Sequence, residues 1–168
     1  MNIREYRPTD LTAILRLWRA LMDHHRPIHH ALYRVHGTAM ETYERWLLRR
    51  IKEDQAQVWI ADIDGQVVGY VMTMMGYRSP VYSVNNVGMI CDLIVDSNTR
   101  RMGVGRTLVS HAVLAMLSKG VETVQVNYDH QNEEAVAFWS AMGFAPRLIE
   151  AYRHLSASDM LAANTMES

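Results

Sequence analysis

The run Ile90-Cys91-Asp92-Leu93-Ile94-Val95, followed by Asp96-Ser97-Asn98-Thr99 and then by Arg100-Arg101-Met102-Gly103-Val104-Gly105-Arg106-Thr107-Leu108, decides how this chain is read. Its first six residues are largely apolar and rich in β-branched side chains, the pattern of a strand, with one carboxylate set into it. A polar turn comes next, then two glycines, then an apolar pattern of helical period that runs to Ser118. Strand, glycine-bearing turn and helix start, in that order, make an anion site. The first amides of a helix have no acceptor inside it, and the aligned peptide dipoles leave that end partly positive. Glycines let backbone approach a ligand closely, so phosphate is the natural occupant. The spacing Arg100-x-x-Gly103-x-Gly105 is neither G-x-x-x-x-G-K-[ST] nor G-x-G-x-x-G, because Leu108 stands where the third glycine of the latter belongs. An ordinary helix N-terminus containing two glycines is the alternative this stretch leaves open.

A second stretch, Asn132-Glu133-Glu134-Ala135-Val136-Ala137-Phe138-Trp139-Ser140-Ala141-Met142-Gly143-Phe144, bears on that choice. Seven residues at about 100° each return Trp139 to within about 20° of Asn132 on an α-helix. One face thus shows an amide at its first turn and an aromatic ring two turns on, and Gly143 is placed as a C-terminal cap. A plain amphipathic helix accounts for Ala135, Phe138 and Gly143 but not for Asn132. Arg100-x-x-Gly103-x-Gly105 resembles the [QR]-x-x-G-x-[GA] signature of the GNAT family, the GCN5-related N-acetyltransferases. The second stretch resembles that family's N-x-x-A-x-x-[FL]-[YW]-x-x-x-G-F segment. The two lie in the family's order, one helix and one strand apart, and the resemblance covers residues 2–152. It implies an α/β (α+β) fold: a mixed, mostly antiparallel sheet of six to seven strands flanked by about four helices. The domain is expected over residues 1–155, with a polar tail over 156–168.

The remaining elements fit that frame. Ile3 to Arg7 alternates as a first strand, and Thr9 or Asp10 is placed to cap the helix after it. That helix carries Leu11, Ile14, Leu15, Trp18, Leu21 and Met22 on one face and ends before Pro27. Gly37-Thr38 opens a second helix whose buried face is Met40, Tyr43, Trp46, Leu47 and Ile51. Gln57–Asp62 and Val67–Met74 read as a hairpin about Asp64-Gly65, a pair suited to φ > 0. Gly69 inside the second of these strands marks a bulge or a close backbone contact. Residues 76–88 read as a loop and 121–126 as a fifth strand after the helix cap Gly120. Phe144 begins a further strand.

At 168 residues, with half the chain apolar, one compact domain with a real core is expected. A net charge of −1 with both signs mixed argues against a nucleic-acid partner. The single cysteine, Cys91, excludes an intrachain disulfide and a multi-cysteine metal site. No signal peptide and no apolar span of about 20 residues is visible, which predicts a cytoplasmic protein with no membrane partner. His24-His25-Arg26-Pro27-Ile28-His29-His30 invites a metal, but Pro27 interrupts the i,i+4 pair His25/His29, and no metal is expected.

The resemblance implies an N-acetyltransferase that moves the acetyl group of acetyl-coenzyme A to a primary amine of a small molecule or peptide by direct attack. Its cofactor site would comprise Leu93, Ile94 and Val95 along the strand, then Arg100, Arg101, Met102, Gly103, Val104, Gly105, Arg106 and Thr107 around the diphosphate. Asn132 and Trp139 complete it. An N–H of Ile94 or Val95 would polarise the thioester. An alkyl ammonium with pKa of about 10.4 lies ~3.4 units, or roughly 4.6 kcal/mol, from its nucleophilic form at pH 7. A base or a water relay is therefore needed, with Asp92 first, unless it is a buried structural carboxylate capping local backbone amides, and His130 or a loop histidine second. Trp139 stands where many relatives carry an acid tyrosine, and indole N–H is no acid at neutral pH, which leaves that role to Tyr128, to water or to no protein group. His25, His29, Tyr33 and Asp92 are the candidates for acceptor contact, and Asp23, Glu41, Asp92 and Asp129 are carboxylates able to attract a cation. A homodimer is among the family's common states. An acetyl-coenzyme A-binding module without turnover is the alternative.

Overall fold

The computed structural model describes residues 1–28, 33–76 and 79–153. Five strands lie in sequence order across one sheet: β1 (Asn2–Glu5), β2 (Ala56–Ile63), β3 (Gln66–Met75), β4 (Val87–Val95) and β5 (Thr123–Val126). The first three pairings are antiparallel and β4–β5 is parallel. The β2–β3 turn places Asp64 at φ 52° and Gly65 at φ 81°, the two positive values a tight hairpin turn requires.

Four helices cover the sheet: α1 (Leu11–His25), α2 (Ala39–Lys52), α3 (Val104–Ser118) and α4 (Glu133–Ala141). Side-chain alternation along the strands feeds two separate cores. On one face Ile14, Leu17 and Trp18 of α1 and Tyr43 and Leu47 of α2 pack on Val58, Ile60, Tyr70, Met72 and Ile94. On the other, Val104, Leu108, Val109, Ala112 and Met116 of α3 and Trp139 of α4 pack on Ala61, Val71 and Ile90.

Two irregularities shape β4. The β3–β4 register moves from Met72↔Asp92 to Thr73↔Ile90, leaving Cys91 as an extra residue. Ile90 therefore faces the α3 core, whereas Asp92 and Ile94 face α1 and α2, as alternation from Asp92 onward predicts. Gly69 proves to be both things its position suggested. It lies beside the β2–β3 register shift, and a Cβ built there would stand 2.8 Å from the Ile94 carbonyl oxygen.

Three expectations are corrected. The sheet has five strands among the described residues, not six or seven, because the segment from Phe144 forms no ladder with β5. Pro146 removes a donor from that segment, and Leu148 and Ile149 are almost wholly exposed. β4 begins at Val87, inside the stretch read as a loop. Asp10 precedes α1 but does not cap it: its carboxylate takes the Arg7 amide at 2.7 Å and the Arg4 guanidinium at 2.7 and 2.9 Å. Residues 154–168, and with them the tail, lie outside the described residues.

Candidate active site

β4 and β5 are paired only from Val87↔Thr123 to Ile90↔Val126. Past Ile90 the two strands have no shared ladder, and a cleft of about 2080 Å³ opens between them. That is ample for a nucleotide-sized ligand together with a second small molecule. Its walls combine β4 from Ile90 to Val95, the start of α3, the loop after β5, α4, and the C-terminal end of α1 with Tyr33.

The start of α3 is an open amide cradle. Gly103 holds φ 81° as the N-cap residue and no side chain caps the helix; Arg101 precedes it at φ 63°. The first helical bond closes only at Thr107 N–H to Gly103 O, 3.0 Å. A Cβ built on Gly103 meets nothing within 4 Å, so the space beside it is free for a ligand. At Gly105 a Cβ would meet the Phe138 ring and Val95 at 3.5–3.6 Å, ordinary contact, so packing there does not itself demand glycine. Arg100, Arg101, Gly103, Val104, Gly105 and Arg106 line the cleft. Met102 and Thr107 do not; Met102 is 66% exposed, and the Thr107 hydroxyl turns back to Gly103 O.

Along β4, Asp96 N–H donates to Val68 O and the Ile94 carbonyl faces Gly69, so the peptide groups of 94 and 96 point into the sheet. Alternation turns those of Leu93 and Val95 toward the cleft. Of the two amides read as polarising groups, Val95 therefore has the outward one.

Asp92 sits on the α1/α2 side of the same strand. Its Oδ2 accepts from Tyr43 Oη at 2.6 Å and Tyr70 Oη at 3.5 Å, and the two hydroxyls are 3.2 Å apart. Oδ1 has no partner among the described residues, and Asp92 lines the cleft. Burial pushes the Asp92 carboxyl above the usual carboxylate range, against the pull of the two tyrosine hydrogen bonds. Both tyrosines are pushed up by burial and then by the Asp92 charge, so they stay protonated. The Cys91 thiol beside them is raised to about 11, by burial first and Asp92 second. It is a thiol rather than a thiolate at neutral pH, and therefore a poor nucleophile.

The other candidates fall into place around the cleft. His25 and Tyr33 meet at 4.8 Å, their rings tilted by 33°, on its α1 wall, where burial lowers the His25 pKa. His29 lies outside the described residues. Tyr128 is half-buried and lines the cleft, as does His130, whose side chain is 89% exposed. Asn132 caps α4, its Oδ1 accepting from Ala135 N–H at 3.1 Å, which explains that residue locally. Trp139 is 5% exposed, set edge-on against Phe138 and Phe144 at the cleft floor. In the sequence Tyr43 stands only as part of a buried helix face and Tyr70 only as a strand position; a phenol on the same face as a strand carboxylate is the available signal. Among the described residues no three His, Cys, Asp or Glu side chains converge to hold a metal.

The family model described as "Acetyltransferase (GNAT) family" matches residues 18–144. The N-alpha-acetyltransferase of Sulfurisphaera tokodaii is 24% identical over 158 residues, 91% of this chain and 84% of its own. The peptidyl-lysine N-acetyltransferase YjaB of Salmonella typhimurium is 26% identical, over 86% and 83%. Among solved structures, a variant of the BH1408 protein from Bacillus halodurans superposes with a TM-score of 0.83 at 18% identity, covering 93% of this chain and 100% of that one. The aminoglycoside 6'-N-acetyltransferase AAC(6')-IG of Acinetobacter haemolyticus gives 0.73 at 16%, covering 93% and 99%.

Proposed function

The chain belongs to the GNAT family of N-acetyltransferases, and from that membership we propose how its cleft carries out the transfer. The observation that carries the reading is the pairing of an uncapped, glycine-opened helix start with an unpaired strand edge on the walls of one cleft. The cradle fits a diphosphate: its amides lack acceptors, and Arg100, Arg101 and Arg106 flank it. The outward groups of Leu93 and Val95 suit a pantetheine amide laid along the strand. Acetyl-coenzyme A, when bound, supplies an activated acetyl group as a thioester.

The chain's own groups do the rest. Val95 N–H is aimed at the cleft, where it would stabilise charge developing on a carbonyl oxygen. Asp92 Oδ1 accepts a proton from the incoming ammonium while Tyr43 and Tyr70 hold Oδ2 in place. Its raised pKa brings it nearer the amine's and makes it a stronger base than an exposed aspartate. The protonated Cys91 favours direct transfer to the amine over an acetyl-cysteine relay. Trp139 packs the floor, and the return of a proton to the departing sulfur is assigned to Tyr128, which also lines the cleft.

Thiol release from acetyl-coenzyme A, measured across a panel of amines, tests the reading. Amine-dependent release supports it; coenzyme A binding without release from any amine would leave only a binding module. Cytoplasmic location and homodimer formation are part of the same proposal; no helix among the described residues is long and apolar enough to cross a membrane.

A further inference from the structure

Asp92 is not alone in presenting a free carboxylate oxygen to the cleft. It stands two residues beyond the last paired position of β4, and Asp129 stands three beyond the last paired position of β5. The Asp129 side chain is 9% exposed. Its Oδ1 accepts the Gln131 amide at 2.9 Å, with Nδ1 of the outward-lying His130 3.8 Å from the same oxygen. Oδ2 has no partner among the described residues, and Asp129 lines the cleft. No arginine or lysine among the described residues pairs with it. A carboxylate held nine-tenths out of water with no cationic side chain on it is costly to keep.

The groups that feel its charge lie across the cleft. Asp129 acts on His25 at the end of α1 and on Tyr33 in the following connection, and Tyr152 acts on Tyr33 in turn. These belong to the α1/α2 side of the sheet, the side that Asp92 faces. The cleft thus has two regions: the amide cradle at the α3 start, and a region bordered by Asp92 and Asp129 with His25 and Tyr33. A buried carboxylate oxygen beside aromatic faces suits an organic ammonium.

We propose that Asp129 anchors a second positive charge on the acceptor. The substrate class is then a small dication, one amine delivered to Asp92 and the other ammonium held at Asp129 Oδ2 against Tyr33 and His25. The delivery to Asp92 rests on the acetyl-transfer reading above; the anchoring at Asp129 does not.

The test is calorimetry on the whole chain saturated with coenzyme A, using diaminoalkanes from diaminopropane to diaminohexane and the amino alcohol of each length. At least one diamine should bind about tenfold more tightly than its amino alcohol, the size of one charge-assisted contact. Asp129→Asn keeps a carbonyl oxygen for the Gln131 amide and removes the charge. It should erase that preference and leave coenzyme A affinity unchanged. Equal binding of diamine and amino alcohol by the wild type overturns the proposal without recourse to a variant, and so does a preference that survives Asp129→Asn. Thiol release is read separately. A diamine preference without turnover would sink the transfer reading and keep the anchor; turnover of simple amines with no diamine preference would do the reverse.

Discussion

Asp92→Asn should make the protein slower and more stable at once. The substitution preserves shape, and an amide oxygen still accepts from Tyr43, so the packing between α2 and β4 survives. What is lost is a proton acceptor. An alkyl ammonium is ~3.4 units from its free base at pH 7, roughly 4.6 kcal/mol, and positioned bases recover about 10²- to 10⁴-fold of such barriers. We expect kcat/KM to fall by about 10²- to 10³-fold. Coenzyme A affinity should not change, because the cradle is built from α3. The stability effect follows from the raised pKa. A carboxyl whose folded pKa exceeds its unfolded value contributes most below about pH 3.9, and that contribution is lost as pH rises through the folded value. At pH 7 the charged Asp92 is therefore a net cost, which Asn removes. Melting temperature should rise at pH 7, and the gain should shrink toward pH 4. Thiol-release kinetics and thermal melts at the two pH values measure both effects. An unchanged rate would reduce Asp92 to a structural carboxylate; a lower melting temperature at pH 7 would refute the burial argument.

Tyr43→Phe removes the 2.6 Å hydrogen bond that favours ionised Asp92. The acid limb of the kcat/KM profile should move to higher pH by up to about one unit, and a shift to lower pH would contradict the assignment. Gly103→Val forces a β-branched residue to φ 81°, at about 1–2 kcal/mol of strain, and fills the empty side of the cradle. Coenzyme A affinity should drop at least about tenfold while the chain still folds; normal binding by calorimetry would misplace the cradle. Gly69→Ala sets a Cβ 2.8 Å from the Ile94 carbonyl oxygen, so β3 and β4 must move apart. A loss of about 1–3 kcal/mol should appear in the denaturation midpoint, and an unmoved midpoint would show that the strands yield freely.

Much of this arrangement is legible in the residues because periodicity and cap chemistry are local. α1, α2 and α3 follow from their apolar faces and from Gly103 and Gly120, and the β2–β3 hairpin from Asp64-Gly65. Asp92 stands out as a carboxylate in an apolar strand. What could not be read is what depends on register. The extra residue at Cys91 decides which face Ile90 takes, and the point where β4 and β5 part decides which amides face the cleft. Tyr43 and Tyr70 lie 27 residues apart in the chain, and only the fold brings their hydroxyls to one oxygen. Asn132, a strong motif position, also meets a local need not foreseen from the sequence, the cap of α4. The strand expected from Phe144 followed from the Gly143 stop, and the exposure of Leu148 and Ile149 beyond it is not something the cap reveals.

The central claim is that the open amides at the start of α3 hold the diphosphate of coenzyme A. Titration of ¹⁵N-labelled protein with coenzyme A reads them directly. The account predicts large, saturable shifts for the amides of residues 102–106, with Val95 and Leu93 following and β1 and α2 unmoved. Saturation with those amides unshifted, or shifts centred elsewhere, would contradict it.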